Sequence, residues 1–180
     1  MIAVISTCKY KLSEEEFVRP IVEIVRECKL NYRIVRYTEK IDVRDCSKVI
    51  ICGTALRDYD YLNYIDSFEQ LLDFEGCVLG ICAGYHILAT LFSNELEKVK
   101  KMGVYNVEVT RDNPLIEKGS MKSYFLHAYA LRSINDSLEC LAVQNDEVCM
   151  FRVEGIDFYG VSFYPEVLNR EIVVNFLNFG

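Results

Sequence analysis

Val78-Leu79-Gly80-Ile81-Cys82-Ala83-Gly84-Tyr85-His86-Ile87-Leu88 decides the reading of this chain. A short apolar strand runs into G-x-C-x-G, and a helical pattern follows at once. That is the nucleophile-elbow arrangement with cysteine in place of serine. Glycines on either side let the chain turn sharply and keep side chains out of the strand–helix contact. Cys82 then stands at a helix N-terminus, where the dipole and free N–H groups favour a thiolate. The spacing predicts a strained Cys82 backbone and a sulfur facing a cleft. The plainer alternative is a buried cysteine acting as a small core hydrophobe.

Outward from the elbow, strands and helices alternate. Met1–Ser6 reads as a buried strand. Ser13-Glu14-Glu15-Glu16 has the form of a capping box, with Leu12 and Phe17 placed as a hydrophobic staple. A helix to about Cys28 follows, and Pro20 either kinks it or marks its true start. Further strands are predicted at Tyr32–Tyr37, at Ser47–Cys52 (ending in Gly53-Thr54-Ala55) and at Cys77–Ile81. Tyr61–Phe74 has helical spacing, and another helix runs from the elbow to about Phe92. Strands alternating with helices imply parallel βαβ units. The second half changes character. Val104–Thr110, Ser123–Leu131, Leu138–Gln144, Val148–Val153 and Phe158–Phe163 read as strands with hairpins between them. A last helix covers about Leu168–Asn178. The expected fold is α/β: a mostly parallel central sheet with helices on both faces and an antiparallel extension. Residues 1–180 are expected to form a single domain with its site beyond the C-terminal ends of the parallel strands.

Composition narrows the function. The 180 residues carry a formal charge of −7, which disfavours nucleic acid and anionic membrane as partners. The basic run Lys98-Val99-Lys100-Lys101 is short and reads as a solvated face. No apolar run is long enough to span a bilayer. Met1–Ser6 already reads as a strand, so no secretory leader is expected. None of the eight cysteines forms a C-x-x-C pair, and several sit inside apolar strands. Neither a zinc site nor a disulfide framework fits, and a reducing cytoplasm is expected, with no metal and no cofactor.

The elbow, together with Gly160-Val161-Ser162-Phe163-Tyr164-Pro165-Glu166, resembles the class I glutamine amidotransferases. That family has G-I-C-x-G at its cysteine and G-V-x-F-H-P-E near its C-terminus, supplying a Cys-His-Glu triad. Two further segments match in order. Ile50-Ile51-Cys52-Gly53-Thr54-Ala55 is similar to the strand and oxyanion loop. Phe125-Leu126-His127-Ala128-Tyr129 is similar to the segment that contacts glutamine. The resemblance covers nearly the whole chain. It implies Cys82, Tyr164 and Glu166 at the triad positions, and Gly53, Thr54, Ala83, His86, His127, Ala128 and Tyr129 around the substrate. It also implies a glutaminase that hydrolyses the side-chain amide and passes ammonia to a separate synthetase partner. Tyr164, however, stands where the family has histidine. Tyrosine, with a reference pKa near 10, accepts a proton poorly at pH 7. His86 replaces a substrate-holding glutamine one turn after Cys82. It is either a displaced base or a polar lining residue, while His127 reads as a strand histidine satisfied by backbone groups. Glu166 without an imidazole to orient reads as a carboxylate capping the last helix. Three functions follow: a glutaminase of reduced activity, a non-catalytic relative binding glutamine, a similar metabolite or a partner protein, or another thiol-based hydrolase or redox sensor. Ala83 counts against the third, because relatives of that kind often carry histidine directly after the cysteine.

Overall fold

Residues 1–179 are described by a computed structural model. Alternation within the first strand explains the layering. In β1 (Ile2–Ser6), Ile2 and Val4 face one core, while Ala3 and Ile5 face the other. A strand buried on both sides needs helices on both sides. On the first face lie α2 (Arg19–Glu27) and α5 (Arg170–Asn178), through Ile21, Val25, Ile172 and Phe176. The opposite face carries α3 (Ala83–Leu91) and a 3-10 segment, Asp60–Asp73, through Ile87, Leu88, Phe68 and Leu71.

The remaining strands are β2 (Tyr32–Arg36), β3 (Lys48–Ile51), β4 (Cys77–Ile81), β5 (Glu97–Val109), β6 (Gly119–Ala130), β7 (Leu138–Gln144), β8 (Glu147–Val153) and β9 (Phe158–Val161). They form one nine-stranded sheet in the order β2-β1-β3-β4-β9-β8-β7-β5-β6. Neighbours from β2 to β9 are parallel, and those beyond β9 antiparallel. This is the α/β sheet with antiparallel extension expected from the sequence.

Several local readings are corrected. Ser13 makes no capping bond, because it is already helical (φ −67°, ψ −20°) at the end of the turn Lys11–Ser13. Leu12 is 83% exposed, so there is no staple. The first helix is two pieces, α1 (Glu14–Phe17) and α2, because Pro20 supplies no N–H and opens α2 instead of continuing α1. The Tyr61–Phe74 segment is 3-10 and broken at Tyr64 (φ −123°, ψ 22°). The last helix is found as expected in α5, with a separate short turn, α4 (Pro165–Leu168), ahead of it. The basic run is not all solvated. β5 begins at Glu97, and strand alternation turns Lys101 inward. Its ammonium bonds Gln144 and, at 2.6 Å, Glu147, both side chains of that ion pair being only 8% exposed. No helix among the described residues is long and apolar enough to cross a membrane.

Candidate active site

The glycines of the elbow are there for close approach. A Cβ on Gly80 would lie 2.5 Å from the Gly84 backbone, and one on Gly84 would lie 2.4 Å from the Ile51 carbonyl oxygen. Only with both positions bare can α3 start against β3 and β4. Cys82 absorbs the turn between strand and helix, with φ 48° and ψ −94°, a backbone conformation costly for any residue with a Cβ. Hydrogen bonds fix it from both sides: its N–H donates to the Val161 carbonyl (2.8 Å), and its own carbonyl accepts from His86 N–H (3.0 Å).

Two backbone donors and one hydroxyl surround the sulfur. The N–H groups of Ala83, next in the chain, and of Thr54, in the loop after β3, point at it, and the Tyr164 hydroxyl lies within reach. One donor following the nucleophile and one from a neighbouring strand loop is the usual frame for an oxyanion. The thiol itself points to the Leu126 carbonyl at 3.6 Å.

The thiolate expectation is corrected. Cys82 is 4% exposed, and burial pushes its thiol up to about 12, against the pull of Tyr164 and the two N–H groups. Desolvation outweighs the helix terminus. The sulfur also faces no open cleft. It lines a cavity of about 10 Å3, shared with Thr54, Tyr59, Tyr61, His86 and His127, which is room for one water at most.

Tyr164 packs against the loop after β3. Its hydroxyl donates to the Thr54 carbonyl at 2.6 Å, and its ring rests between Phe17 and Tyr124. The ring covers Gly53 so tightly that a Cβ there would lie 2.5 Å from Cε1. Burial holds the phenol well above its ordinary pKa of 10, so it stays protonated. Glu166 sits in the first turn of α4, where Oε2 is buried without a partner. Burial raises its carboxyl to about 8, so it is largely protonated at neutral pH.

Both histidines stay neutral. His86 Nε2 lies 3.0 Å from the Tyr129 carbonyl, which can only accept, so Nε2 carries the proton. Nδ1 then accepts from Tyr61 Oη at 2.8 Å. Burial brings its pKa down to about 4. Both nitrogens are committed, which removes His86 as a base for Cys82. His127 has the backbone of Val99 beside it, but neither ring nitrogen makes a well-formed hydrogen bond. Burial, with His86 and Lys101 nearby, brings it down to about 3.

Every residue singled out from the sequence therefore falls in one region. Thr54, Cys82, His86, His127 and Ala128 line the cavity, and Ala83 and Tyr164 meet the sulfur. Gly53 lies under Tyr164, Glu166 is near enough to raise the Cys82 thiol when charged, and Tyr129 supplies the carbonyl for His86. Sequence reasoning missed Tyr61, Tyr59 and Asp58. Asp58 accepts from the Thr54 hydroxyl (2.8 Å) and Lys9 N–H (2.7 Å), and so holds the loop after β3 in shape. The cue was the polar Asp58-Tyr59-Asp60 turn just past Gly53-Thr54-Ala55.

Comparison with known proteins identifies the family. The family model Glutamine amidotransferase class-I matches residues 13–178. The glutamine-hydrolyzing GMP synthase of Campylobacter jejuni is 30% identical over 105 residues, 56% of this chain but only 20% of that protein. A glutamine-hydrolyzing GMP synthase subunit from Methanobrevibacter smithii is 29% identical over 107 residues, 57% of this chain and 56% of that one. The crystal structure of a Thermoplasma acidophilum protein described as a GMP synthase subunit superposes with a TM-score of 0.83 at 20% identity, covering 98% of this chain and 92% of that one. At that identity the likeness speaks for the fold, while the family match spans nearly all of the sequence. The chain belongs to the class-I glutamine amidotransferase family.

Proposed function

We propose that this chain is a glutamine amidotransferase-like protein of a reducing cytoplasm, one domain over residues 1–180, whose Cys82 site hydrolyses glutamine far more slowly than the family's enzymes do. Glutamine hydrolysis needs a thiolate to attack the side-chain amide, donors for the oxyanion, and a base that later protonates departing ammonia. Cys82 supplies the sulfur, held as a thiol, and the N–H groups of Thr54 and Ala83 supply the second in outline. Nothing supplies the third. Tyr164 stands at the family's histidine position, and the observation that carries the reading is its hydroxyl donating to Thr54 while its ring lies over Gly53. The phenol cannot take the thiol proton at neutral pH, and Glu166 has no imidazole to orient. In a comparable hydrolase triad, loss of the histidine costs roughly a factor of a million in turnover. Against ordinary turnover of about 1–10³ per second, that leaves less than about 10⁻³ per second.

The likeness to GMP synthase subunits supports a synthetase as partner and glutamine or a related amide as ligand. A second reading is a non-catalytic relative whose fold serves only to bind. The 10 Å3 cavity favours it, since it has no room for glutamine. The test is ammonia release from glutamine by the purified chain, with Cys82→Ala as blank, alongside calorimetric titration with glutamine. Slow release that depends on Cys82, with measurable binding, fits the first reading. Binding without release fits the second. Turnover at ordinary rates overturns both.

A further inference from the structure

The winding of the sheet reverses at β1. β2 lies on one side of it and β3 on the other. The chain leaving β1 passes to α2 on one face, and the chain leaving β3 passes to the 3-10 segment on the opposite face. The two loops therefore part and leave a crevice past the C-terminal strand ends, the position where open α/β sheets hold ligands. Here it is a pocket of about 550 Å3, walled by Lys9, Tyr10 and Ser13 on one side and Arg57, Tyr59 and Asn63 on the other. That is ample for a small molecule, unlike the cavity at Cys82.

The chemistry of the walls selects the ligand. Both acids at the crevice are already engaged. Asp58 accepts from Lys9 N–H and the Thr54 hydroxyl, and Asp60 accepts from the Tyr37 hydroxyl and pairs with Lys9 Nζ at 3.7 Å. Arg57 is exposed and stands in no ion pair among the described residues. Tyr10 is 65% exposed, and Ser13 makes no capping bond. What remains free is a guanidinium, the Tyr10 ring and a hydroxyl, beside the Tyr59 ring, which meets Tyr129 edge-on. A guanidinium takes phosphate or carboxylate, and tyrosine faces take flat rings.

We propose that this crevice is a second binding site, separate from Cys82, for a small anion that carries an aromatic or heterocyclic ring. Arg57 pairs with the anionic group, and the ring lies against Tyr10 and Tyr59. The site is wired to the first one. Asp58 joins its wall to Thr54, whose N–H faces the Cys82 sulfur, and Tyr59 lines both spaces. Occupancy thus changes access to Cys82.

The experiment is calorimetric titration of the full chain with AMP and GMP as one arm and 4-hydroxybenzoate as the other, with adenosine and inorganic phosphate as controls. The expected result is a Kd below about 1 mM for one arm, at least tenfold weaker binding of both controls, and an altered rate of Cys82 alkylation at saturation. Arg57→Glu and Tyr10→Ala, both on the surface, each weaken binding at least tenfold at an unchanged unfolding midpoint, while Cys82→Ala binds as the wild type does. The proposal is overturned if neither arm binds, if adenosine or phosphate binds as well as the anions, if both crevice variants still bind, or if Cys82→Ala abolishes binding. A missing glutaminase activity would not affect it.

Discussion

Alkylation of Cys82 gives a sharp test of how burial and the helix terminus compete. With its pKa at about 12, the thiolate fraction at pH 8 is about 10⁻⁴, against about a quarter for an ordinary thiol of pKa 8.5. That is a deficit of roughly 2,000-fold. A more basic thiolate is also a better nucleophile, with a Brønsted slope of about 0.4–0.5, which returns roughly 40-fold over 3.5 units. The net expectation is reaction at least about 50-fold slower than a free thiol, before the 4% exposure of Cys82 slows it further. Iodoacetamide labelling followed by peptide mass mapping, with Cys82→Ala to identify the peptide, measures this. The rate should climb about tenfold per pH unit from pH 7 to 10 without a plateau. Tyr164→Phe, which removes the hydroxyl beside the sulfur, should not accelerate it. A plateau near pH 8, or labelling at pH 7 as fast as glutathione, would refute the reasoning and restore the helix terminus as the dominant influence.

The other predictions concern stability. Glu166 has a folded pKa of about 8 against an ordinary 4.5, so the folded chain holds a proton that the unfolded chain has released. Its contribution is present below about pH 4.5 and lost as pH rises through 8, at up to about 1.4 kcal/mol per unit. Glu166→Gln should therefore gain on the wild type in thermal midpoint between pH 5 and pH 8.5, and parallel curves would contradict the assignment. Lys101→Met leaves the Glu147 carboxylate buried and unpaired, at a cost of about 3–5 kcal/mol in urea unfolding. Adding Glu147→Leu should recover most of that, whereas simple additivity would mean that the pair is not coupled. Gly84→Ala places a Cβ 2.4 Å from the Ile51 carbonyl oxygen and should lose at least about 1–3 kcal/mol. A neutral result there would show that α3 can slide off β3.

Much of the architecture was legible because it is written in short-range pattern. Ile2–Ile5 is apolar on both faces, and only a strand between helix layers needs that. Gly80 and Gly84 announce a strand and helix in contact, and the close approaches to Gly84 and Ile51 are what they permit. What escaped was set by residues distant in sequence. Lys101 looks solvated until Gln144 and Glu147 arrive from β7 and β8. Cys82 looks like a thiolate until Leu126 and Tyr164 bury it. His86 looks like a base until Tyr61 and the Tyr129 carbonyl occupy both nitrogens. The sequence places such groups near one another but does not say which hydrogen bonds they complete.

In the proposed reading Tyr164 is the reason the site lacks a base, so the most direct test is the ratio of glutamine hydrolysis by Tyr164→His to that by the wild type, read as ammonia release at saturating glutamine. The smaller imidazole leaves the space over Gly53, gives Cys82 a proton acceptor and gives Glu166 a group to orient. The expected outcome is wild-type turnover below about 10⁻³ per second and a rise of at least about 100-fold in the variant, the usual lower bound for a positioned acid–base group. Wild-type turnover of about 1 per second or more, abolished in His86→Ala, would contradict the assignment and make His86 the base.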